Sequence, residues 1–482
     1  MNNLEYIKEK LKNSFDVKYR VVNTVIGKAT IVFIDDLCNA QMISDYVVSP
    51  LRGFGDLPPK DGKYRSLDQV IESTLDVNAA GVAKDLDDAI MHILSGDPAV
   101  VFENYKDVMY VETKGFPVRG VGVPQTESVL KGPREGFNEL IVNNVALIRR
   151  RIKNPNLKFE AIVVGETSQT SVAVCYIDGI APKELIEQVK NKIKELDLRF
   201  ILDTNYIEDA LRSQKSFFDT VGYTEKPDEV SAKLLEGRIG VIVDGTPFVI
   251  TVPYFFLENF QMPDDYYLNK YYSNFNRILR WGAFFIATLL PALYVAVITY
   301  HFSMIPSLFM FRLAVSRAGV PFPTFVEVLL MMLAFQFIKE AGLRLPQPIG
   351  GAMSIVSALI LGDAAVSAGI ASRITIIIVA LSTLSYFLIP KLYGALSFWA
   401  LVLVCFAAAF GIPGFLSGCI LLIIQLCELD SVGYQFLFPI GSISEYKFKD
   451  VVLRGSLSKI SKGFIRRGDK KWRLRNFLSL FL

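Results

Sequence analysis

The sequence has little of the side-chain chemistry on which enzymes and metal sites depend. It contains 2 histidines and 5 cysteines in 482 residues, and no two cysteines have the C-x-x-C spacing typical of zinc sites or redox pairs. With so few histidines, neither a zinc site nor a Ser/His/Asp triad is credible. We therefore expect no catalytic residues, no metal, no cofactor and no disulfide framework, and we predict that the protein is not an enzyme.

Nucleotide-binding motifs are lacking as well. The sequence contains no G-x-x-x-x-G-K-[ST] loop, and the glycines between Gly237 and Gly245 lack the strand-to-helix context of a dinucleotide site. The basic residues near the C-terminus have no nucleic-acid-binding fold beside them, so nucleic acid is not an expected partner. No tandem repeat stands out. The informative feature is the distribution of charge.

Charge is scarce in one long part of the chain. Residues 281–441 contain 11 charged side chains, whereas residues 1–280 carry charge throughout, and 51% of all residues are hydrophobic. About 20 consecutive apolar residues are enough to cross the ~30 Å hydrocarbon core of a bilayer. We therefore predict an all-α transmembrane helical bundle at residues 281–441, preceded by an α+β soluble N-terminal domain and followed by a basic cytosolic tail at residues 442–482.

Several apolar segments in this region are candidate membrane helices. They are Trp281–Phe302, Thr324–Ile338, Ala352–Ile370, Ile374–Ile389, Ala395–Phe410 and Phe415–Cys427. Arg277 and Arg280 precede the first segment and the basic tail follows the last, which indicates that both flanks are cytosolic. The N-terminal residues carry charge where a signal peptide has its apolar region, so the soluble domain is also expected on that side. An even number of crossings follows, and four and six both fit.

The soluble domain is predicted to contain two small α/β subdomains, at residues 1–120 and 132–280, separated by a Gly/Pro-rich stretch. Candidate strands are Ala29–Ile34, Ala99–Phe102, Val108–Val111, Phe159–Val164, Ser171–Ile177, Ile239–Val243 and Phe248–Val252. Candidate helices are Ser66–Thr74, Lys84–Leu94, Glu135–Ile152, Pro182–Leu196 and Asp228–Leu235. The turn at Asp244 predicts that the last two strands form a hairpin, and Asp228 is the predicted N-cap of the last helix.

Several strings of residues resemble one known family. In the soluble part they are GPREGFNE, NNVALIRRRI, YTEKPDEV, LLEGRIGVIVDGTPFVITVP and MPDDYY; in the apolar part they are VPFPTFVEVLLM, AGLRLPQPIGG and GDAAVSAG. Together these strings resemble the A subunit of the GerA family of spore germinant receptors. The resemblance extends in order from about residue 14 to about residue 439. A SpoVAF-type paralogue has the same domain plan.

The resemblance implies a protein of sporulation and spore germination that lies in the inner spore membrane. Its implied partners are a B-type, transporter-like subunit that binds the nutrient and a C-type lipoprotein subunit. The A subunit is expected to form a homo-oligomer within the complex and to form or gate an ion channel. The alternatives are a SpoVAF-type accessory spore membrane protein and a non-conducting membrane scaffold.

Two acids in the apolar region are candidates for an ion pathway, because a carboxylate in hydrocarbon tends to face protein or water. Asp363 follows eleven uncharged residues, and Gly362 before it permits close backbone approach. Glu327 lies about one turn after Pro323, so it has a second interpretation, in which it snorkels to the interface or stabilises a helix N-terminus. Gly and Ala are dense around Asp363, which favours tight packing against a neighbouring helix or chain.

Two interruptions and the tail complete the predicted sites. Pro and Gly residues interrupt the apolar segments at two places, at Pro346, Pro348, Gly350 and Gly351 and at Pro413. If these are breaks within membrane helices, the backbone groups that they free must face protein or water. The alternative is that each is a loop between two complete crossings. The basic tail is predicted to bind anionic membrane lipids, through Arg466, Arg467, Lys470, Lys471 and Trp472.

Overall fold

The computed structural model describes residues 2–24, 26–35, 37–54, 66–75, 77, 79–115, 127, 129–212, 216–344, 360–440 and 450–460. The chain forms two compact units, of which the first contains most residues up to Tyr254 and the second contains residues 214–220 and Phe255–Ile460. The second unit therefore begins before Trp281, where the sequence predicted the first apolar helix. The reason is an aromatic cluster, in which Phe260 stacks on Trp281 with ring centroids 3.9 Å apart.

The first unit begins with a five-stranded antiparallel sheet in the order β1-β2-β4-β5-β3. Its strands are β1 (Val17–Thr24), β2 (Gly27–Ile34), β3 (Ala80–Val82), β4 (Ala99–Phe102) and β5 (Val108–Val111). The helices of this part are α1 (Asn3–Lys10), α2 (Ala40–Met42), α3 (Leu67–Thr74) and α4 (Leu86–Leu94). Residues Ile43–Val48 and Pro50–Phe54 form two π-helical turns after α2.

A second five-stranded antiparallel sheet follows, in the order β6-β7-β9-β10-β8. Its strands are β6 (Leu157–Val164), β7 (Thr170–Ile177), β8 (Gly222–Thr224), β9 (Ile239–Val243) and β10 (Val249–Val252). Its helices are α5 (Ile141–Arg151), α6 (Lys183–Lys194), α7 (Asn205–Leu211) and α8 (Pro227–Leu235). Strands β9 and β10 pair in the hairpin that the turn chemistry predicted.

The two sheets repeat one topology, which no sequence repeat had indicated. Each begins with a hairpin of two eight-residue strands, and in each the fourth strand follows a helix and a glycine with positive φ. Gly96 after α4 has φ 91° and Gly237 after α8 has φ 90°. A Cβ at Gly96 would lie 2.9 Å from the carbonyl oxygen of Leu37, and one at Gly237 would lie 3.1 Å from that of Ile180. The repeated turn needs glycine for conformation and for space.

Two helix starts differ from the predictions. Asp228 is not an N-cap, because α8 begins at Pro227 with Lys226 as its cap; proline suits the first helical position, and Asp228 lies in the first turn, where its charge favours the helix dipole. Helix α5 begins at Ile141, not at the predicted Glu135. Its first N–H group donates to Oδ1 of Asp244 at 3.1 Å, so the residue that forms the β9–β10 turn also holds this helix end.

The second unit is helical. Its elements are α9 (Asp264–Tyr267), α10 (Lys270–Tyr300), α11 (Ser307–Arg317), α12 (Thr324–Arg344), α13 (360–367), α14 (Arg373–Phe387), α15 (Tyr393–Glu428), the short strands β11 (Asp430–Ser431) and β12 (Tyr434–Gln435), and α16 (Leu457–Ile460). Single 3-10 turns lie at Phe256–Phe260, Phe302–Met304 and Pro390–Leu392. Within the described residues, two helical stretches, Lys270–Tyr300 and Pro390–Glu428, are long and apolar enough to cross a membrane, and α14 is a shorter apolar helix.

Helix α15 folds back on itself at Gly411, which has φ 66° and ψ −139°. Nε1 of Trp399 donates to Oε1 of Gln425 at 2.7 Å, and a Cβ at Gly418 would lie 2.6 Å from Cδ2 of Leu403. Because these partners lie symmetrically about Gly411, the two halves of α15 are antiparallel. Each half is about 26 Å long at 1.5 Å per residue.

The other helices have directions that their hydrogen bonds define. Helix α14 is antiparallel to α10, because Ser382 donates to the carbonyl of Ala287 at 2.9 Å while Thr375 lies 3.1 Å from the hydroxyl of Tyr294. Helix α12 runs in the direction of α14, since Glu327 near the start of α12 contacts Thr375 near the start of α14, and Gln336 farther along α12 contacts Tyr393, which follows the end of α14. The end of α10, the starts of α12 and α14 and the turn at Gly411 therefore lie together. We call this the distal end of the helical unit.

Candidate functional site

Glu327 lies at the distal end, and its side chain is fully buried. One carboxylate oxygen accepts a hydrogen bond from the backbone N–H of Ser372 at 3.1 Å and one from the hydroxyl of Thr375 at 2.9 Å. The other oxygen pairs with Nη2 of Arg317 at 3.1 Å. The carboxylate thus binds the end of α11 to the start of α14.

This arrangement gives Glu327 a structural explanation. Ser372 is the N-cap of α14, and its hydroxyl accepts from the N–H of Thr375 at 3.2 Å. A negative charge beside a helix N-terminus is stabilised by the helix dipole and by free N–H groups. Glu327 therefore stabilises a helix N-terminus, as its second interpretation proposed, but the helix is α14 and not its own.

Asp363 has a different environment. It lies on α13 with its side chain exposed on the surface of the helical unit, and no other residue in the described part of the chain forms a hydrogen bond or ion pair with it. The exposed residues beside it are small: Ala364, Ser367 and Ala368. Ala365 on the opposite side is buried in the core. One face of α13 therefore packs inside this chain, and the face with Asp363 does not.

Gly362 shows no close backbone approach within the described residues. A Cβ there would meet only Cγ2 of Ile376, at 4.0 Å, which is an ordinary van der Waals distance. The close backbone approach that the sequence predicted for this glycine is therefore not found among these residues. Because that nearest atom belongs to Ile376, Gly362 lies beside the start of α14.

At the second interruption, Gly411 is buried against protein, whereas Pro413 is exposed on the surface of the helical unit. A Cβ at Gly411 would lie 2.9 Å from Cβ of Tyr300, and the hydroxyl of Tyr300 donates to the carbonyl of Ala408 at 2.8 Å. The other predicted interruption, Pro346, Pro348, Gly350 and Gly351, lies outside the described residues. So do the tail residues Arg466, Arg467, Lys470, Lys471 and Trp472.

Sequence reasoning missed a buried charge cluster at the start of α10, which we call the basal cluster. Its members are Asp265, Arg277, Arg280 and Asp450. Both arginines donate to Asp265, Arg277 through Nε at 2.8 Å and Arg280 through Nη1 at 2.7 Å, and Arg277 also pairs with Asp450. The two arginines lie three residues apart and so share one helix face. In the sequence they indicate only membrane topology; in the structure they also hold Asp450 against α10.

The described part of the chain contains no group of three or more His, Cys, Asp or Glu side chains that could hold a metal ion. The polar clusters instead connect helix ends. The fold thus defines a class of protein: a two-sheet α+β region joined to a helical region with stretches long enough to cross a membrane.

Comparison with known families identifies the class further. A family profile described as Bacillus/Clostridium GerA spore germination protein matches residues 5–463. The chain belongs to the GerA family of spore germination proteins, and the resemblance found in the sequence is confirmed.

Individual relatives agree with this assignment. The chain is 34% identical over 460 residues to spore germination protein KA of Bacillus subtilis, covering 94% of this chain and 84% of that protein. It is 32% identical to spore germination protein GerLA of Bacillus cereus, covering 94% and 92%. A crystal structure of the N-terminal domain of the A subunit of the Bacillus megaterium spore germinant receptor GerK3 is 30% identical, covers 53% of this chain and 94% of that chain, and has a TM-score of 0.40.

Proposed function

We propose that this chain is the A subunit of a nutrient-sensing spore germinant receptor, and that copies of it assemble in the inner spore membrane to form or gate an ion pathway. Membership of the GerA family and relatives named as spore germination proteins support the receptor role. The observation that carries the ion pathway is the exposed carboxylate of Asp363 on a helix of the apolar region, which forms no ion pair or hydrogen bond with the residues that the structure describes.

Lipid is a poor environment for this carboxylate. An acid near the middle of a membrane helix costs roughly 2.5–3.5 kcal/mol on insertion scales, so such acids face protein or water. Glu327 satisfies that requirement through Arg317, Ser372 and Thr375, whereas Asp363 has no such partner among the described residues. The small side chains of Ala364, Ser367 and Ala368 allow another backbone to approach closely. A ring of neighbouring copies would therefore place Asp363 against protein and a water-filled pathway, as charged rings do in cation channels.

An even number of crossings, four or six, remains part of this proposal. Of the described helices, α12 and α14 both lead away from the distal end. The N-terminal domain and the basic tail then share the cytosolic, spore-core side, in agreement with Arg277, Arg280 and the basic tail.

The proposed partners are those that the family resemblance implies. A B-type, transporter-like subunit binds the nutrient, a C-type lipoprotein subunit completes the complex, and membrane lipids surround it. Nutrient binding in the B-type subunit then shifts the helical region toward a conducting state. Glu327 contributes by positioning the start of α14 next to α13, while Asp363 faces the ion.

The alternative is a SpoVAF-type accessory protein or a non-conducting scaffold. The chain is 36% identical over 427 residues to the uncharacterized membrane protein YfkQ of Bacillus subtilis, so close relatives include one whose name does not mention germination. A scaffold requires no charge at position 363. It therefore predicts that Asp363 tolerates substitution.

The test is ion release from spores that carry Asp363→Asn, triggered by a mixture of amino acids, sugars and nucleosides. We expect the initial rate of cation release to fall by about tenfold or more, which corresponds to about 1.4 kcal/mol in the barrier. The matched control is Glu340→Gln, because Glu340 is an exposed acid on α12 whose partner among the described residues is Arg344, at 2.7 Å. Wild-type release from the Asp363→Asn spores, with the variant present at normal level, would refute the pathway.

A further inference from the structure

A cavity of about 490 Å³ opens at the distal end between α11, the end of α13 and the start of α14. The residues of its lining that matter here are Phe311, Arg312, Val315, Ser316, Val320 and Arg373. Two of them are arginines and none of the lining residues is an acid. The cavity is separate from Asp363 and from the buried carboxylate of Glu327.

The charge in this cavity is unbalanced. Neither Arg312 nor Arg373 forms an ion pair or a side-chain hydrogen bond with any residue that the structure describes. The nearby acid, Glu327, is already bound to Arg317 and to the start of α14. The hydroxyl of Ser316 is buried and has no hydrogen-bond partner among the described residues. A guanidinium group offers five N–H donors and no acceptor, so the cavity presents donors and positive charge that suit an anion.

The other walls of the cavity are apolar. Phe311 and Val315 on α11 are 69% and 59% exposed, and Val320 and Val366 also line the space. A small inorganic anion would not contact this apolar surface. An amphiphile can bind both parts of the cavity, with its charged group on the arginines and its chains along the apolar side. A helix with basic and apolar side chains at a membrane surface binds anionic lipids in this way.

We propose that the cavity between Arg312 and Arg373 binds the phosphate group of an anionic phospholipid whose acyl chains lie along Phe311 and Val315. The bound lipid bridges α11 and α14 on the outside of the unit, next to the place where Glu327 bridges them inside. This site is additional to the proposed ion pathway and does not depend on conduction. Both arginines supply charge-assisted hydrogen bonds to the phosphate, the geometry for which guanidinium is best suited.

The test uses the full chain purified in a neutral detergent and native mass spectrometry to count bound lipids. Dioctanoyl phosphatidylglycerol, dioctanoyl phosphatidylcholine and inorganic phosphate are the three probes. We expect phosphatidylglycerol to bind more tightly than either other probe, and the variants Arg312→Gln and Arg373→Gln each to weaken it by about tenfold, the effect of losing about 1.4 kcal/mol of charged hydrogen bonding. Arg344→Gln, outside the cavity, is the control and leaves binding unchanged.

Each other outcome overturns the proposal. Equal binding of the two lipids would show that the negative charge of phosphatidylglycerol does not contribute to its affinity. Binding of inorganic phosphate as tight as that of phosphatidylglycerol would identify a site for soluble anions. Loss of binding in the Arg344→Gln variant to the same extent would indicate general surface charge. Because substitution to glutamine can disturb folding, Arg312→Lys provides a second variant: it keeps the charge, and we expect it to retain most of the binding. If Arg312→Lys loses as much as Arg312→Gln while both remain folded, charge recognition is refuted.

Discussion

The sheet-containing unit and the helical unit both bury ion pairs, but they differ in what they leave exposed. In the first unit, Asp16 and Arg149 are both completely buried and form two hydrogen bonds, at 2.8 and 3.1 Å. In the second, Glu327 is buried and pairs with the partly exposed Arg317, while Asp363 is exposed and has no ion-pair or hydrogen-bond partner in the described part of the chain. An exposed acid in water needs no partner. An exposed acid on an apolar helix needs protein or water beside it. Exposure of an acid is therefore ordinary in the first unit, whereas in the second it indicates a contact outside the chain.

The comparison also separates two kinds of buried charge. Asp16 precedes β1 of the first sheet and Arg149 lies on α5 beside the second, so this pair joins the two repeated halves of the unit. Nη1 of Arg149 also donates to the carbonyl of Leu157 at 2.9 Å. Glu327 joins helices of one unit. In both cases the buried acid connects elements that are distant in the sequence. We therefore expect substitution of either acid to lower the free energy of unfolding strongly.

We expect the largest loss of stability from the substitution Asp16→Asn. Breaking a fully buried pair leaves an uncompensated guanidinium, which costs about 3–5 kcal/mol of unfolding free energy. Hydrogen exchange of peptides that cover α5, measured on the full chain in detergent, reports this loss. The control is Asp35→Asn in the same hairpin region, whose exposed pair with Lys18 at 3.8 Å is worth less than about 1 kcal/mol. Similar losses in both variants would show that burial does not distinguish them.

A somewhat smaller effect is expected for Glu327→Ala. The substitution leaves the N–H of Ser372 and the hydroxyl of Thr375 without their acceptor, and Arg317 without its acid, which costs about 2–4 kcal/mol. Thermal unfolding followed by tryptophan fluorescence reports on the helical unit, since Trp281 and Trp399 both lie there. Glu340→Ala on the same helix is the control and should change stability by less than about 1 kcal/mol. If the two variants unfold alike, Glu327 does not hold α14.

The smallest effect concerns the pH dependence of the first unit. Nζ of Lys158 donates to the carbonyl of Lys10 at 2.6 Å, and burial, followed by the charge of Arg149, lowers the pKa of Lys158 from 10.5 to about 8. The unfolded state therefore binds more protons between pH 8 and 10.5, and stability rises with pH through that window. We expect a gain of about 1 kcal/mol after solvent screening.

Hydrogen exchange of peptides that cover β6, compared at pH 7.5 and pH 9.5 after correction for the intrinsic exchange rate, checks this gain. The Lys158→Met variant should not show it. A wild-type unit whose stability falls between these two pH values would contradict the sign of the effect.

Sequence patterns located the buried strands well and the exposed strands badly. Strands β4 and β9 have the predicted bounds, because fully buried strands appear in the sequence as short runs without polar residues, here AVVF and IGVIV. Strand β1 was missed, since most of its side chains are exposed and VKYRVVNT has no regular alternation. Strands β3 and β8 have three residues each, too few for any period to appear. The repeated topology was hidden for the same reason, as its third strand is short in both halves.

The sequence identified both candidate acids but could not separate their roles. Glu327 and Asp363 were conspicuous because acids are rare in an apolar region. Which of them is satisfied inside the chain depends on packing against Thr375, 48 residues from Glu327, and no local pattern contains that information. The basal cluster was missed for the same reason: Arg277 and Asp450 are 173 residues apart.

The most direct test of the account asks what surrounds position 363 in the assembled receptor. In a background that lacks the five native cysteines, we would compare Asp363→Cys with Ile377→Cys, a residue of α14 that is 63% exposed, by their rates of reaction with a membrane-impermeant methanethiosulfonate reagent. A water-lined position 363 reacts at least about tenfold faster than a lipid-facing one, because only the thiolate formed in water is a good nucleophile. Equal, slow reaction of both variants, with both present in the membrane at the level of the wild-type chain, would contradict the account.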